Sequence, residues 1–141
     1  RRLSMSEVIT DKLTGKTSAG DVTVTDGSVT MKLQDGFAKA YVLFNGTGTV
    51  ATRTTFNCSS VTDNDSGDYR PNWTSVFDSV NYINTGSCIG SPETSSGSLG
   101  ELYGSGDTGF AAGSVDLSTR NASGTRFDVS YVHLISFGDL A

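Results

Sequence analysis

The sequence predicts an all-β protein, an antiparallel β-sandwich or jelly-roll-like domain preceded by an extended N-terminal arm or hairpin. Three observations carry that expectation. Short runs alternate apolar and polar residues, turn pairs such as Asp26-Gly27 and Asn45-Gly46 separate them, and no helical period is sustained. The composition agrees, with 17 glycines, two prolines and a hydrophobic fraction of 35%. That fraction lies below the globular norm of roughly 45–50%, which also counts glycine. Many short strands with tight turns would produce it, as would a core completed by partner subunits.

A chain of 141 residues fits one domain, or one domain with an arm. The arm is expected over residues 1–36. Met5 reads as the start and Arg1-Arg2-Leu3-Ser4 as an upstream extension. Val22-Thr23-Val24-Thr25 and Val29-Thr30-Met31-Lys32-Leu33 alternate on either side of Asp26-Gly27, a hairpin signal with little core of its own.

The β-domain is expected over residues 37–141. Phe37, Tyr41 and Leu43 fall on one face of its first strand, and Ala38, Ala40, Val42 and Phe44 on the other. Bulk on both faces predicts a central strand buried from both sides. After the Asn45-Gly46 turn, alternation places Val50, Thr52, Thr54 and Phe56 together. Val61, Tyr69 and Trp73 continue the pattern across the acidic turn Asp63–Asp68, and Val80 to Thr85 forms another short run. A Gly/Ser-rich insert is read at about 86–113, since a long stretch without a pattern is usually functional or flexible. Strands resume at Ser114 to Ser118, and Arg126 to Phe137 closes the chain with Phe127, Val129, Tyr131, His133, Ile135 and Phe137 on one face.

Charge narrows the function. A net charge of −5 and ten scattered Lys and Arg argue against nucleic-acid binding, which wants a basic stripe. No apolar run approaches the roughly 18 residues of a membrane-spanning helix, so no membrane insertion is expected. The N-terminus lacks the apolar core of a secretory signal. If the protein reaches the outside of a cell, it is expected to do so by a route other than the secretory one, such as lysis. Cys58 and Cys88 could form a disulfide or remain buried thiols, and cytoplasmic synthesis favours thiols.

No residue pattern nominates a catalyst, a cofactor or a metal. His133, the single histidine, has no acid or nucleophile beside it in sequence, and reads as a packed or interface residue. Asp63-Asn64-Asp65-Ser66-Gly67-Asp68 has the oxygen-rich flavour of a calcium loop, but lacks the distal Glu, and its residues are those a tight turn selects. Gly104-Ser105-Gly106-Asp107-Thr108-Gly109 lacks the Lys and the following helix of a phosphate loop. Tyr69, Trp73 and Tyr82 read as core or subunit-interface aromatics. Tyr103 and Phe110, placed in the insert, are the candidates for contact with a receptor or a partner.

The chain also resembles a known family. Met5-Ser6-Glu7, Leu13 to Thr17, Phe37 to Gly48, Thr52 to Asn57, Val61 to Asn64 and Gly67-Asp68-Tyr69 resemble segments of small virion proteins of tailed phages infecting marine bacteria and cyanobacteria. The resemblance runs from Met5 to Tyr69 and returns in the closing aromatic strand. It implies a non-enzymatic structural protein on the phage particle: a tail fibre, head fibre or capsid decoration. It further implies homotrimers, anchored to capsid or tail proteins through the N-terminal arm. A lectin-like tail-fibre tip binding a host surface glycan, or a small polysaccharide hydrolase, are the alternatives.

Overall fold

A computed structural model describes residues 12–13, 22–89, 109–121 and 123–141. The chain divides after Phe37 into two compact units.

In the first unit, β1 (Thr23–Asp26) pairs antiparallel with β2 (Val29–Lys32). Gly27 takes a φ of 61° in the two-residue link, the left-handed value that glycine adopts without a Cβ penalty. Register pairs Val24 with Met31 and Asp26 with Val29, so these four share one face. Thr23, Thr25, Thr30 and Lys32 share the other. Thr25 and Thr30 hydroxyls meet at 3.0 Å across the polar face. Val24, Val29 and Met31 are all exposed. A 3₁₀ turn at Leu33–Gly36 follows. A two-stranded ribbon is marginal in water unless something covers its apolar side.

The second unit is all-β, with antiparallel sheets packed against each other. Its strands are β3 (Ala40–Asn45), β4 (Ala51–Phe56), β5 (Cys58–Asp65), β6 (Asp68–Trp73), β7 (Ile83–Ile89), β8 (Phe110–Ala111), β9 (Ser114–Val115), β10 (Leu117–Ser118) and β11 (Tyr131–Phe137). One sheet has the order β4-β3-β11-β7. The other is centred on β6, with β5 on one side and β10 and β9 on the other, β8 lying beyond β9. Each sheet turns one face inward. Ala40, Val42, Phe44, Cys88, Val132 and Leu134 come from the first, and Cys58, Tyr69, Trp73, Val115 and Leu117 from the second. The Phe44 ring meets Tyr69 edge-on at 5.1 Å, and Trp73, Phe77 and Tyr82 stack into a second aromatic group.

Tyr69 ties the sandwich together. Its buried hydroxyl lies 3.0 Å from the Gly46 carbonyl and 2.9 Å from Asp128 Oδ1. Gly67 donates its backbone N–H to the same carboxylate oxygen at 2.7 Å. Burial, and then the Asp128 carboxylate, push the Tyr69 phenol well above its ordinary range. Gly67 has a φ of 62°, and a Cβ there would meet Phe127 N at 2.6 Å and the Thr119 carbonyl at 2.7 Å, so no other residue fits. Cys58 and Cys88 are buried thiols that form no disulfide, and burial raises the Cys58 thiol.

Four expectations need correction. β3 is central in its sheet, yet only Ala40, Val42 and Phe44 are buried. Tyr41 is exposed and Leu43 half-buried, because no second layer from the described residues of this unit packs over that face. Phe37, expected beside them, belongs to the first unit and is exposed. On β4 a bulge between Leu43 and Phe44 breaks the alternation: Thr54 pairs with Leu43 but Thr52 pairs with Phe44, so Thr52 and Phe56 lie on opposite faces. The insert is shorter than read from composition, since β7 runs through Gly86-Ser87-Cys88-Ile89 and β8 begins at Phe110. Finally, β11 starts only at Tyr131. Val129 is fully buried and Phe127 packs on the core, whereas Tyr131 and Ile135 face outward.

Candidate interaction surface

The outward face of the four-stranded sheet is the most unusual surface of the second unit. Period-two geometry with the observed register fixes its membership. β3 contributes Tyr41 and Leu43, β4 Thr54 and Phe56, β11 Tyr131, His133, Ile135 and Phe137, and β7 Ile83, Thr85, Ser87 and Ile89. Cross-strand pairing makes the apolar residues continuous: Phe56 opposes Tyr41, Tyr41 opposes Ile135, Tyr131 opposes Ile89 and Phe137 opposes Ile83. Tyr41 and Phe56 rings lie 5.7 Å apart. Six of these residues are exposed: Tyr41 39%, Phe56 51%, Ile83 69%, Ile89 48%, Tyr131 37% and Ile135 39%.

The face is nearly free of charge. No Asp, Glu or Lys occurs in β3, β4, β7 or β11. Its cation is Arg53, the extra residue at the β4 bulge. The guanidinium stacks 4.2 Å over the Tyr131 ring and donates to the Ser130 carbonyl at 3.1 Å. His133 is half-buried in the middle of the face, and its Nε2 is buried with no hydrogen-bond partner among the described residues.

Charge is gathered on the other sheet. Asp116, almost fully buried, accepts two bonds from Arg70, through Nε and through Nη2 at 2.8 Å. That pairing raises the Arg70 guanidinium above its ordinary value. Arg126 donates to Asp68 at 2.6 Å. At the acidic turn, Asp65 accepts from the Ser66 N–H at 2.8 Å, and Asn64 donates to Asp68 at 3.3 Å. These carboxylates cap and brace a hairpin. Among the described residues no group of three His, Cys, Asp or Glu side chains is placed to hold a metal ion.

Of the two residues singled out from sequence, Tyr103 lies outside the described residues. Phe110 opens β8, is 43% exposed, and its ring meets Tyr82 edge-on at 6.0 Å. It is therefore half built into the aromatic group rather than free on a loop. Tyr69, Trp73 and Tyr82 are all buried core residues. Tyr82 caps that role with a hydroxyl 2.8 Å from the Ser114 carbonyl and 3.0 Å from that of Ala111. Sequence reasoning missed Ile83 and Ile89 as surface residues. Their period-two spacing was present, but Gly86 and Ser87 between them read as linker. The chain matches no protein-family model, no curated protein and no solved structure.

Proposed function

We propose that the chain is a non-enzymatic structural protein of a phage particle, a self-associating and, by resemblance, trimeric fibre or capsid-decoration component. The uncovered apolar face of the four-stranded sheet is the observation that carries this reading. An isolated soluble domain gains nothing from leaving aromatic rings and isoleucines side by side in water, whereas a subunit buries them on assembly. The resemblance over Met5–Tyr69 supplies the virion context. The exposed strip of Val24, Val29 and Met31 suits an arm that finishes folding on capsid or tail proteins.

Sedimentation of the full chain at micromolar concentration tests self-association. A species larger than one chain is expected, and a stable monomer would overturn the reading. Counting copies in purified particles tests the virion role: many copies indicate a decoration, few a fibre, and none refutes it. A lectin-like tip is the second reading, favoured by the partly exposed Phe110. Glycan-array binding lost on Phe110→Ala would establish it, and an unchanged or absent signal would remove it.

A further inference from the structure

We infer that copies of this chain associate by burying the outward face of the β4-β3-β11-β7 sheet against one another. The inference rests on the self-associating reading above and assigns it a surface.

Area is the first argument. Tyr41, Phe56 and Tyr131 are rings of the 150–250 Å² class, and with Ile83, Ile89 and Ile135 at their observed exposures they present about 500 Å² to solvent. That lies toward the upper end of the roughly 300–600 Å² of the largest apolar patch on a typical monomer. A standard interface buries about 800 Å² per partner, with an apolar centre and a polar rim. Here the centre is in place, and exposed Thr54, Thr85 and Ser87 on the edge strands β4 and β7 supply hydroxyl groups suited to a rim.

Charge is the second argument, and it selects a second copy over an arbitrary partner. The chain carries a net charge of −5, so two copies repel at most approaches. The described acids of the second unit are Asp63, Asp65, Asp68, Asp78, Asp116, Asp128 and Asp139, and none lies on a strand of this sheet. Among the described residues, an identical acidic chain meets no carboxylate on the strands of this face. Arg53, stacked on Tyr131 and bonded to Ser130, is exposed on edge strand β4, where its charge stays hydrated at the rim when the centre of the face closes. A strongly basic partner would instead be expected to dock on the β5–β6 side, where Asp63, Asp65 and Asp68 cluster.

The test uses the full chain. Ile135→Lys combined with Ile83→Lys places two like charges on the face at positions that are 39% and 69% exposed. Sedimentation equilibrium should show the dissociation constant rising at least tenfold, with circular dichroism unchanged. A wild-type oligomer that the double variant leaves intact overturns the inference while the self-associating reading survives. A wild-type monomer overturns both. If Val24→Asp with Met31→Asp dissociates the oligomer and the sheet variant does not, the ribbon is the interface and the inference fails. Should the sheet variant not fold, hydroxyl-radical footprinting of the wild-type chain decides. Protection of Tyr41, Phe56 and Tyr131 with rising concentration, while Phe110 stays reactive, supports the inference. Unchanged reactivity of those three residues in an oligomer overturns it.

Discussion

The two sheets of the second unit draw on a similar stock of Thr, Ser and aromatic residues, and they finish differently. On β6, Tyr69, Pro71 and Trp73 point inward and are buried, while Asp68, Arg70 and Asn72 point outward. The outward groups answer one another: Arg70 with Asp116, Arg126 with Asp68, and Asn72 with Ser60 and Thr62. On β3 the inward residues are buried in the same way, but the outward ones are Tyr41 and Leu43, with Phe56, Tyr131 and Ile135 beside them. Among the described residues of this unit, one sheet is completed by its own side chains and the other is not. Alternation along a strand decides which residues are grouped, and only the presence of a covering layer decides whether a group is buried.

Neighbouring residues of β11 give the sharpest break of this comparison. Leu134 is 1% exposed and faces the core, whereas Ile135 is 39% exposed and faces outward. Leu134→Ala should cost about 2–5 kcal/mol, the range for truncating a buried aliphatic side chain and leaving a cavity. Ile135→Ala should change the stability of the dissociated chain by only about 0.5 kcal/mol, as surface substitutions do. Urea midpoints measured below the association range check both. Equal losses would mean that the outward face is covered within the chain.

Next in size is Tyr69→Phe, which tests how far the charged sheet depends on internal satisfaction. The change keeps the ring against Phe44 but removes the hydroxyl shared by Gly46 and Asp128. Leaving those acceptors short of a donor should cost about 1–3 kcal/mol. The same residue gives the fold an alkaline limit. Its phenol is raised above 10.0 and the Cys58 thiol above 9.0, so each is more firmly protonated when folded than when unfolded. Their contribution is complete below the unfolded values and is lost as pH climbs through the folded ones. The wild-type urea midpoint should therefore fall between pH 9 and pH 11, and Tyr69→Phe should fall less over that interval. An equal fall in both proteins would detach the effect from Tyr69.

The same contrast explains what was legible in the sequence. The hairpin at Gly27, the strands from Ala40 to Trp73 and the buried roles of Tyr69, Trp73 and Tyr82 follow from alternation and turn chemistry, which are local. The bulk on both sides of β3 was equally visible. Its exposure was not, because a pattern records hydrophobicity and not whether a second layer exists. Thr52 was misplaced because a bulge formed by Arg53 carries no Gly or Pro to announce it. The run from Phe127 to Phe137 looked like one strand because its period survives in sequence. In space, Phe127 and Val129 lie ahead of the strand and turn to the core, so the period no longer names a single face. Phe110 reads as loop because β8 is two residues long, and its packing on Tyr82 depends on a contact between segments far apart in sequence.

The smallest expected effect bears on the outward face itself. Arg53 bridges β4 to the start of β11 through the Tyr131 ring and the Ser130 carbonyl, so a cation braces that surface from within the unit. An exposed cation–π contact is worth about 0.5–1 kcal/mol. Arg53→Met should lose about that much, and a cycle with Tyr131→Leu should return a coupling of the same size. If the coupling vanishes in the dissociated chain and appears only in the oligomer, Arg53 and Tyr131 are ordered by assembly rather than by the sheet. A coupling that is the same in both states means the face is already set before any copy arrives. Association would then cost little ordering entropy, and the two sheets would differ in what covers them but not in how firmly they are built.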